Sequence, residues 1–398
     1  MTNRMSLIIL VLFFSTVILL PFSRLAELPI LILSIIGISA LIRKKVEIYS
    51  SRFKILSLVY FSYLIMILVS STDSYWQQKT LLVGIASFRF FFAACAILTY
   101  IKKAHFKFLI NLFAYFTILL SADALFQYFA GIDLIGKESY PGRLNGVFGK
   151  GHAKLGPLIA LLFPLVLISL QDKKAWFRWL AVIIITISVI LSGTRSAWIM
   201  LIFSITTYFF YHVKQKRIQL LFKSFLAASL LIITLLTFSA DFQQRVDRSL
   251  ALFKGSEKSI DFALANRLSI WESSINMINS HPINGVGAHG FRKAYPKFAE
   301  KDDFWQNQDG VGMHAHHWVL EVLSETGIIG FILFSFAIFK LLLFIKVHSK
   351  SPYTWAFSIS LISAFLPITS TYSIFASFWS ICIWIIGSGL ILMSIDDD

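Results

Sequence analysis

Residues 177–212 read FRWLAVIIITISVILSGTRSAWIMLIFSITTYFFYH, and this stretch decides the fold. Two apolar runs, 177–192 and 197–212, are separated only by a short polar turn that holds Arg195. A helix that crosses the hydrocarbon core of a bilayer needs about 20 mainly apolar residues. The stretch therefore predicts two membrane-spanning helices joined by a tight hairpin.

The same pattern recurs along the whole chain, which is 57% hydrophobic and only 14% charged. A globular domain typically carries about 25% charged residues. The runs are too long for the strands of a barrel, which are about ten alternating residues each, so they favour helices. We predict an all-α polytopic membrane protein with about 12 transmembrane helices. The candidate spans are 5–22, 28–42, 55–71, 81–101, 108–130, 155–170, 177–192, 197–212, 219–239, 318–345, 354–370 and 375–393. The first run precedes no small-residue cleavage site, so we interpret it as a retained helix.

Basic residues set the orientation, because cytoplasmic loops carry an excess of lysine and arginine. Alternate loops are rich in these residues, whereas the short loops on the other side hold only Arg24, Lys79 and Arg195. Both termini are therefore predicted to be cytoplasmic, with the loop 131–154 and the interval 240–317 facing outward. The chain divides into a bundle of nine spans (1–239), an outer loop (240–317) and three final spans (318–398). Much of the net charge of +15 follows from this topology, so it gives no reason to expect nucleic-acid binding.

The two outward regions are also basic, and Arg143 and Lys150 lie in the first of them. Attraction to anionic lipid headgroups would explain this bias, and so would an anionic substrate. In the second region, five apolar residues recur at intervals of three and four and predict one amphipathic helix, lying on the membrane surface or capping the bundle. These are Leu264, Leu268, Trp271, Ile275 and Ile278.

The excess of basic residues in cytoplasmic loops gives no reason for an arginine in an outward hairpin, yet Arg195 stands there. It is either an interface anchor whose charged head reaches water or a clamp for phosphate, which a guanidinium binds through two parallel hydrogen bonds. Arg267, near the start of the amphipathic helix, is either an ordinary arginine on a surface helix or part of the same clamp. Arg89 and Asp123 lie within apolar spans, where charges are costly, and we predict that they pair.

Three histidines, His314, His316 and His317, precede the tenth span. They could form a polar cap without chemistry. His314 and His316 could also ligate zinc together with Glu321 or Asp309, although no established ligand spacing supports this. The third alternative is a general base, because histidine titrates near neutral pH. Glu321 and Glu325, on the helix that follows, would then be available to orient a ring or to close a salt bridge.

Three segments together resemble the O-antigen ligase and O-antigen polymerase superfamily. They are SGTRSAW (192–198), NRLSIWESSINMINSHPINGVGAHGF (266–291) and HAHHWVLEVLSETGIIGF (314–331). The order of the segments and the long outer loop before the histidines match the family. Its ligases show His, then Asn, Ser or Gln, then nine residues and Gly-x-x-Gly. His316, His317 and Gly327–Gly330 fit that spacing, except that a histidine stands in the second position.

The resemblance implies a glycosyltransferase-C-like helical fold in the bacterial inner membrane, with the active site in the periplasm. It implies transfer of a glycan from undecaprenyl diphosphate to a sugar hydroxyl of lipid A–core, with inversion and without a metal or other cofactor. Arg195 and Arg267 would hold the donor diphosphate, with Arg143 as a further candidate. His316 would deprotonate the acceptor, supported by His314, His317 and Glu321. The partners are thus the two lipid-linked glycans and membrane lipids, and the oligomeric state stays open.

Other functions remain as alternatives. A polymerase of the same superfamily would extend one lipid-linked glycan with another, and a related enzyme would glycosylate protein. A twelve-span transporter would carry charges near the membrane midplane in both halves. A metal-dependent glycosyltransferase would need carboxylates such as those of KDD (301–303).

Overall fold

The computed structural model describes most of the chain. The described residues are 2–140, 142–149, 153–212, 229–230, 233–234, 236–237, 239–301, 303–306, 314–348, 351–366 and 372–394. Most of the predicted ninth span, together with Lys150, Asp302 and Asp309, lies outside them.

The described chain is almost entirely helical, and within it the only β pairing is two isolated bridges in the 131–143 loop. In chain order the helices are α1 (Thr2–Ile18), a 3₁₀ segment (Leu20–Ala26), α2 (Glu27–Ile42), α3 (Ser51–Ser70), α4 (Gln77–Tyr100), α5 (Lys103–Ala130), α6 (Leu155–Ser169), α7 (Ala175–Leu191), α8 (Arg195–His212), α9 (Ala240–Leu250), α10 (Glu257–Leu264), α11 (Leu268–Ser280), α12 (Phe291–Phe298), α13 (Trp318–His348), α14 (Pro352–Phe365) and α15 (Ser377–Met393).

Each predicted span that falls within the described residues corresponds to one of these apolar helices. Among the described residues, five segments are long and apolar enough to cross a bilayer: Arg24–Ile42, Ser51–Asp73, Gln77–Tyr100, Lys103–Ala130 and Trp318–His348. Four shorter apolar helices accompany them, at Arg4–Ile18, Leu155–Ser169, Ala175–Leu191 and Ser377–Met393. The protein is thus an α-helical, multi-pass membrane protein.

The chain forms two compact units. The first comprises Met1–Leu109, Arg267–Ser358 and Ile368–Asp398, and the second comprises Ile110–Asn266 and Ile359–Pro367. In the first unit α4 packs against α2 and α3, and α3 also packs against α13. In the second unit α6 is buried along nearly its whole length and packs against α7 and α8.

Helix α13 is broken at Gly327, which has φ 63° and ψ −168°. The turn after α11 lies along this break. The N–H groups of Val286 and Gly287 donate to the carbonyls of Ser324 and Glu325 at 2.8 and 2.9 Å, and Ile328 N–H donates to the Pro282 carbonyl at 2.9 Å. These bonds satisfy backbone groups that the break would otherwise leave unpaired in a buried place. The segment that follows α11 is thereby fixed to α13.

Two predictions about side-chain placement are wrong. The apolar stripe does not form one helix, because α10 ends at Leu264 and Ala265 adopts a left-handed cap before α11 begins. Helix α11 buries Ile270, Ser273, Ser274 and Met277 instead, while Ile275 is 49% exposed. The buried face thus includes small residues, which allow close packing, and Trp271 of the stripe packs beside it against the core of the first unit.

The predicted pair of Arg89 and Asp123 is not formed. Arg89 Nε donates to Glu27 Oε2 at 2.7 Å, and both side chains are largely buried. Asp123 Oδ1 accepts the backbone N–H of Leu134 at 2.8 Å. Each charge therefore finds a partner within its own unit: a carboxylate on the neighbouring α2 for Arg89, and a loop backbone for Asp123.

Candidate active site

The hairpin between α7 and α8 is held tightly in the second unit. Trp198 Nε1 donates to the Val189 carbonyl at 3.1 Å across the turn. A Cβ on Gly156 would overlap the Ser192 side chain, so glycine lets α6 approach the turn closely. This packing fixes Arg195, the first residue of α8, at the end of the hairpin.

Arg143 lies beside the same hairpin, because Leu144 N–H donates to the Leu191 carbonyl at 3.2 Å. Arg245, on α9, reaches it from another direction and donates from Nη1 to the Gly193 carbonyl at 2.7 Å. Gly193 has φ 65°, and a Cβ there would overlap the Arg245 guanidinium. Arg143, Arg195 and Arg245 form what we call the arginine cluster.

The arginine cluster is strongly electropositive. Burial, followed by the charge of Arg143, lowers the pKa of Arg245 to about 10, and Arg195 acts in the same direction. Asp241 opposes this shift. Among the described residues, neither Arg143 nor Arg195 forms an ion pair. Like charges held together without equal counter-charge make a natural binding place for an anion.

Arg248, also on α9, adds its charge to the surroundings of Arg195 and Arg245, but other contacts hold its side chain. Its Nε donates to the Phe262 carbonyl at 2.6 Å, and its guanidinium lies 4.7 Å from the centre of the Phe262 ring. These contacts join α9 to α10, so Arg248 has a packing role.

In the first unit, a hydrogen bond joins the helix that follows Arg267 to residues 314–317, which we call the histidine segment. Arg267 occupies the N-cap position of α11, and its carbonyl accepts the N–H of Trp271 at 3.0 Å. Trp271 Nε1 in turn donates to the Ala315 carbonyl at 3.1 Å. The helix that begins at Arg267 therefore holds the histidine segment through one tryptophan.

His316 has an unusual backbone conformation, with φ 51°. For a residue with a Cβ this left-handed conformation costs about 1 kcal/mol or more, and such residues cluster at functional sites. Its ring lies against that of His314, with 3.8 Å between their centres. The left-handed backbone and the contact with His314 thus fix the position of the His316 ring.

His317 caps the start of α13. Its Nδ1 accepts the N–H of Leu320 at 3.3 Å, and its ring meets the edge of Trp271 at 5.7 Å between centres. Burial lowers its pKa, in agreement with a neutral ring that accepts a hydrogen bond. The bond explains the departure from the family pattern, because Asn and Ser are also helix-capping residues.

The two glutamates that follow have contacts other than those expected. Glu321 is 1% exposed, and its Oε2 accepts the N–H of Ile374 at 3.4 Å. Among the described residues its Oε1 accepts no hydrogen bond, and no histidine ring contacts it. Glu325 accepts the N–H of His289 and of Phe291, at the start of α12. Glu325 thus caps the start of α12, and Glu321 bonds the backbone of the segment before α15.

Residues 180–335 match the family model of the O-antigen ligase domain. The match supports a place for this region in the O-antigen ligase superfamily. The matched region contains the hairpin of Arg195, the start of α11 and the histidine segment, and Arg143 precedes it. No curated protein matches the chain. The predicted resemblance is confirmed at the level of the superfamily.

The structure brings predicted residues together in two groups. Arg143 and Arg195 lie near one another in the second unit, and Arg267 shares the first unit with the histidines and Glu321. Within the described part of the chain, no three His, Cys, Asp or Glu side chains come together as a metal site would require.

Sequence reasoning missed Arg245. Its contact partner is the backbone carbonyl of Gly193, some fifty residues earlier, which no local pattern reveals. A possible signal was Gly193, because a glycine beside Arg195 in a four-residue turn indicates close approach by another group.

Sequence reasoning also missed a polar group at the turn before α4. His281 lies with Nδ1 3.0 Å from Asp73 Oδ2 and Nε2 3.3 Å from the Tyr75 hydroxyl. Lys297 Nζ donates to the same hydroxyl at 2.8 Å. These contacts fasten the end of α11 and helix α12 to the α3–α4 turn.

Proposed function

We propose that this protein is an O-antigen ligase. It takes a glycan from undecaprenyl diphosphate at the periplasmic face of the inner membrane and joins it to a sugar hydroxyl of lipid A–core. The observation that carries the proposal is the joining of Arg267 to the histidine segment through Trp271 and Ala315. It supports the arrangement implied by the family: a cation for the diphosphate and an imidazole for the acceptor on one rigid support.

The proposed chemistry is a single displacement with inversion. The acceptor oxygen forms a bond to the anomeric carbon while the bond from that carbon to the phosphate oxygen breaks. His316 takes the hydroxyl proton, and undecaprenyl diphosphate leaves with the bonding electron pair. The general base is useful because the hydroxyl becomes a better nucleophile only as its proton departs.

The arginines act on the leaving group. Negative charge grows on the diphosphate as the bond breaks, so fixed cations stabilise the transition state more than the bound donor. Hydrogen bonds to charged groups contribute roughly 1.5–3 kcal/mol each. Arg195 and Arg267, with Arg143 beside the first, would therefore lower the barrier substantially. The donor is already activated, so the proposal requires no nucleotide or metal.

The proposed topology has about twelve spans, both termini in the cytoplasm and the 240–317 loop in the periplasm, in a glycosyltransferase-C-like arrangement. The basic cytoplasmic loops support this orientation. The membrane location suits a donor whose lipid tail stays in the bilayer.

The test combines purified protein, lipid-linked glycan and lipid A–core in the presence of a chelator. We expect a ladder of glycan-bearing lipopolysaccharide on a gel, and none from Arg195→Ala, Arg267→Ala or His316→Ala at equal protein level. A normal ladder from all three variants would end the proposal. Lengthening of the lipid-linked glycan without transfer to lipid A–core would instead identify a polymerase.

A further inference from the structure

A pocket lies beside the arginine cluster in the second unit, and it is lined by Arg245, which the family resemblance does not assign. Its volume is about 150 Å³. Arg143, Arg245 and Asp241 line it together with two tyrosines, Tyr128 and Tyr140. The pocket is therefore both charged and open to the surface loop that carries Arg143.

Arg245 is the best-fixed cation of this pocket. One nitrogen of its guanidinium is anchored on the Gly193 carbonyl, and the absence of a Cβ at Gly193 leaves room for the group. A guanidinium that is already held in place loses less conformational freedom on binding a ligand. Its planar fork also suits the tetrahedral oxygens of a phosphate group.

The charge balance favours an anionic ligand over a neutral sugar. Two arginines line the pocket against one aspartate, and Arg195 adds its charge from the adjacent hairpin. Mutual repulsion among these cations is relieved when an anion binds between them. A neutral monosaccharide would leave that repulsion in place.

We propose that the pocket of Arg143 and Arg245 is a phosphate-binding subsite, in which the pre-positioned guanidinium of Arg245 binds the phosphate. This inference rests on the proposed function, because it identifies the occupant as the pyrophosphoryl group of the lipid-linked donor. An anionic lipid headgroup offers the same chemistry, so the experiment separates the two sources.

The experiment measures binding of inorganic pyrophosphate to the purified protein by calorimetry. Arg245→Ala should weaken binding at least tenfold, and Arg245→Lys should weaken it less because the charge remains without the fork. Arg248→Ala is the matched control: it removes an equal charge from the same helix, but the contacts of Arg248 are with Phe262. We expect it to change binding less than threefold.

Gly193→Ala provides a second test that keeps every charge. The added Cβ would displace the Arg245 guanidinium, so pyrophosphate binding should fall as it does in Arg245→Ala. Equal losses of pyrophosphate affinity in Arg245→Ala and Arg248→Ala would show that only long-range charge matters and would overturn the proposal. Unchanged binding in Arg245→Ala would overturn it as well.

Competition identifies the source of the phosphate. A short-chain polyprenyl diphosphate should displace pyrophosphate from the wild-type protein but not alter the weak binding of Arg245→Ala. Displacement by phosphatidylglycerol vesicles, with none by the polyprenyl diphosphate, would contradict a donor subsite. If Arg245 controls pyrophosphate binding but the wild-type protein transfers no glycan, the proposed function fails and the anion site stands. If the ladder forms normally in Arg245→Ala with unchanged pyrophosphate binding, the subsite fails and the function stands.

Discussion

Replacing Gly327 by alanine should destabilise the protein by about 3–7 kcal/mol. The backbone there has φ 63° and ψ −168°, a conformation that is almost exclusive to glycine and costs other residues about 1–3 kcal/mol. A Cβ would also overlap the Ile283 carbonyl, so the turn after α11 would have to move away. That movement breaks the three backbone hydrogen bonds of 2.8–2.9 Å between the turn and α13, each worth a net contribution of about 0.5–1.5 kcal/mol. A longer fourth bond, from Ile329 N–H to the Ile283 carbonyl at 3.3 Å, breaks with them.

The assay is thermal denaturation of the detergent-solubilised protein, followed by size-exclusion chromatography of the remaining folded fraction. A loss of this size should lower Tm by at least about 5 °C. Proteolytic cleavage should also increase in the outer segment, near Lys293 and Lys297, because the broken bonds hold that segment. Gly131→Ala is the matched control: it has φ 81°, but open space surrounds the position, so only the backbone cost of about 1–2 kcal/mol remains. A Tm for Gly327→Ala equal to that of Gly131→Ala would refute the reasoning.

Three further predictions concern two histidines and one ion pair. His317→Asn should keep the cap of α13 and retain transfer, whereas His317→Ala should lower stability by about 1 kcal/mol; thermal denaturation and the transfer assay distinguish them. His289 is buried, and burial followed by the charges of Lys79 and Arg292 lowers its pKa from 6.5 to about 4. The unfolded state therefore binds the extra proton first, so stability should fall by up to about 3 kcal/mol as pH decreases from about 6.5 to 4, and His289→Asn should lose that component in a pH series of unfolding measurements. Arg89→Ala and Glu27→Ala should each be destabilising but not additive, with a coupling energy of about 1–3 kcal/mol in a double-mutant cycle; additive losses would contradict the observed pair.

The sequence predicted the helices well because a bilayer imposes a simple rule. Every backbone polar group within the hydrocarbon core must be paired internally, so a long apolar run has few alternatives to a helix. The hairpin of Arg195 and the start of α11 beside Arg267 follow from local signals of this kind: length of the run, small turns and helix breakers.

The sequence could not predict in the same way which distant residues contact one another. Arg89 was assigned to Asp123 because both are charges in apolar spans, yet α2 supplies the nearer carboxylate, Glu27. The stripe from Leu264 to Ile278 has helical spacing but is interrupted at Ala265, where the left-handed cap starts a new direction. In both cases the outcome depends on contacts between residues distant in sequence, which periodicity does not contain.

The glycines near the histidines gained a clear physical role only from the structure. Their spacing looked like a signature of chemistry. Gly327 instead permits the break in α13, and Gly285 lets the turn after α11 approach it, since a Cβ there would overlap the backbone of Glu325 and Thr326. The motif therefore combines one candidate base, His316, with the packing that holds its segment in place.

The central claim is that His316 acts on the acceptor while the arginines act on the donor. Donor binding and glycan transfer, measured on one preparation of each variant, test it most directly. We expect His316→Asn to bind the lipid-linked donor as tightly as the wild-type protein but to transfer no glycan, whereas Arg195→Ala should lose donor affinity as well. Transfer at the wild-type rate by His316→Asn, or undiminished donor binding by Arg195→Ala, would contradict it.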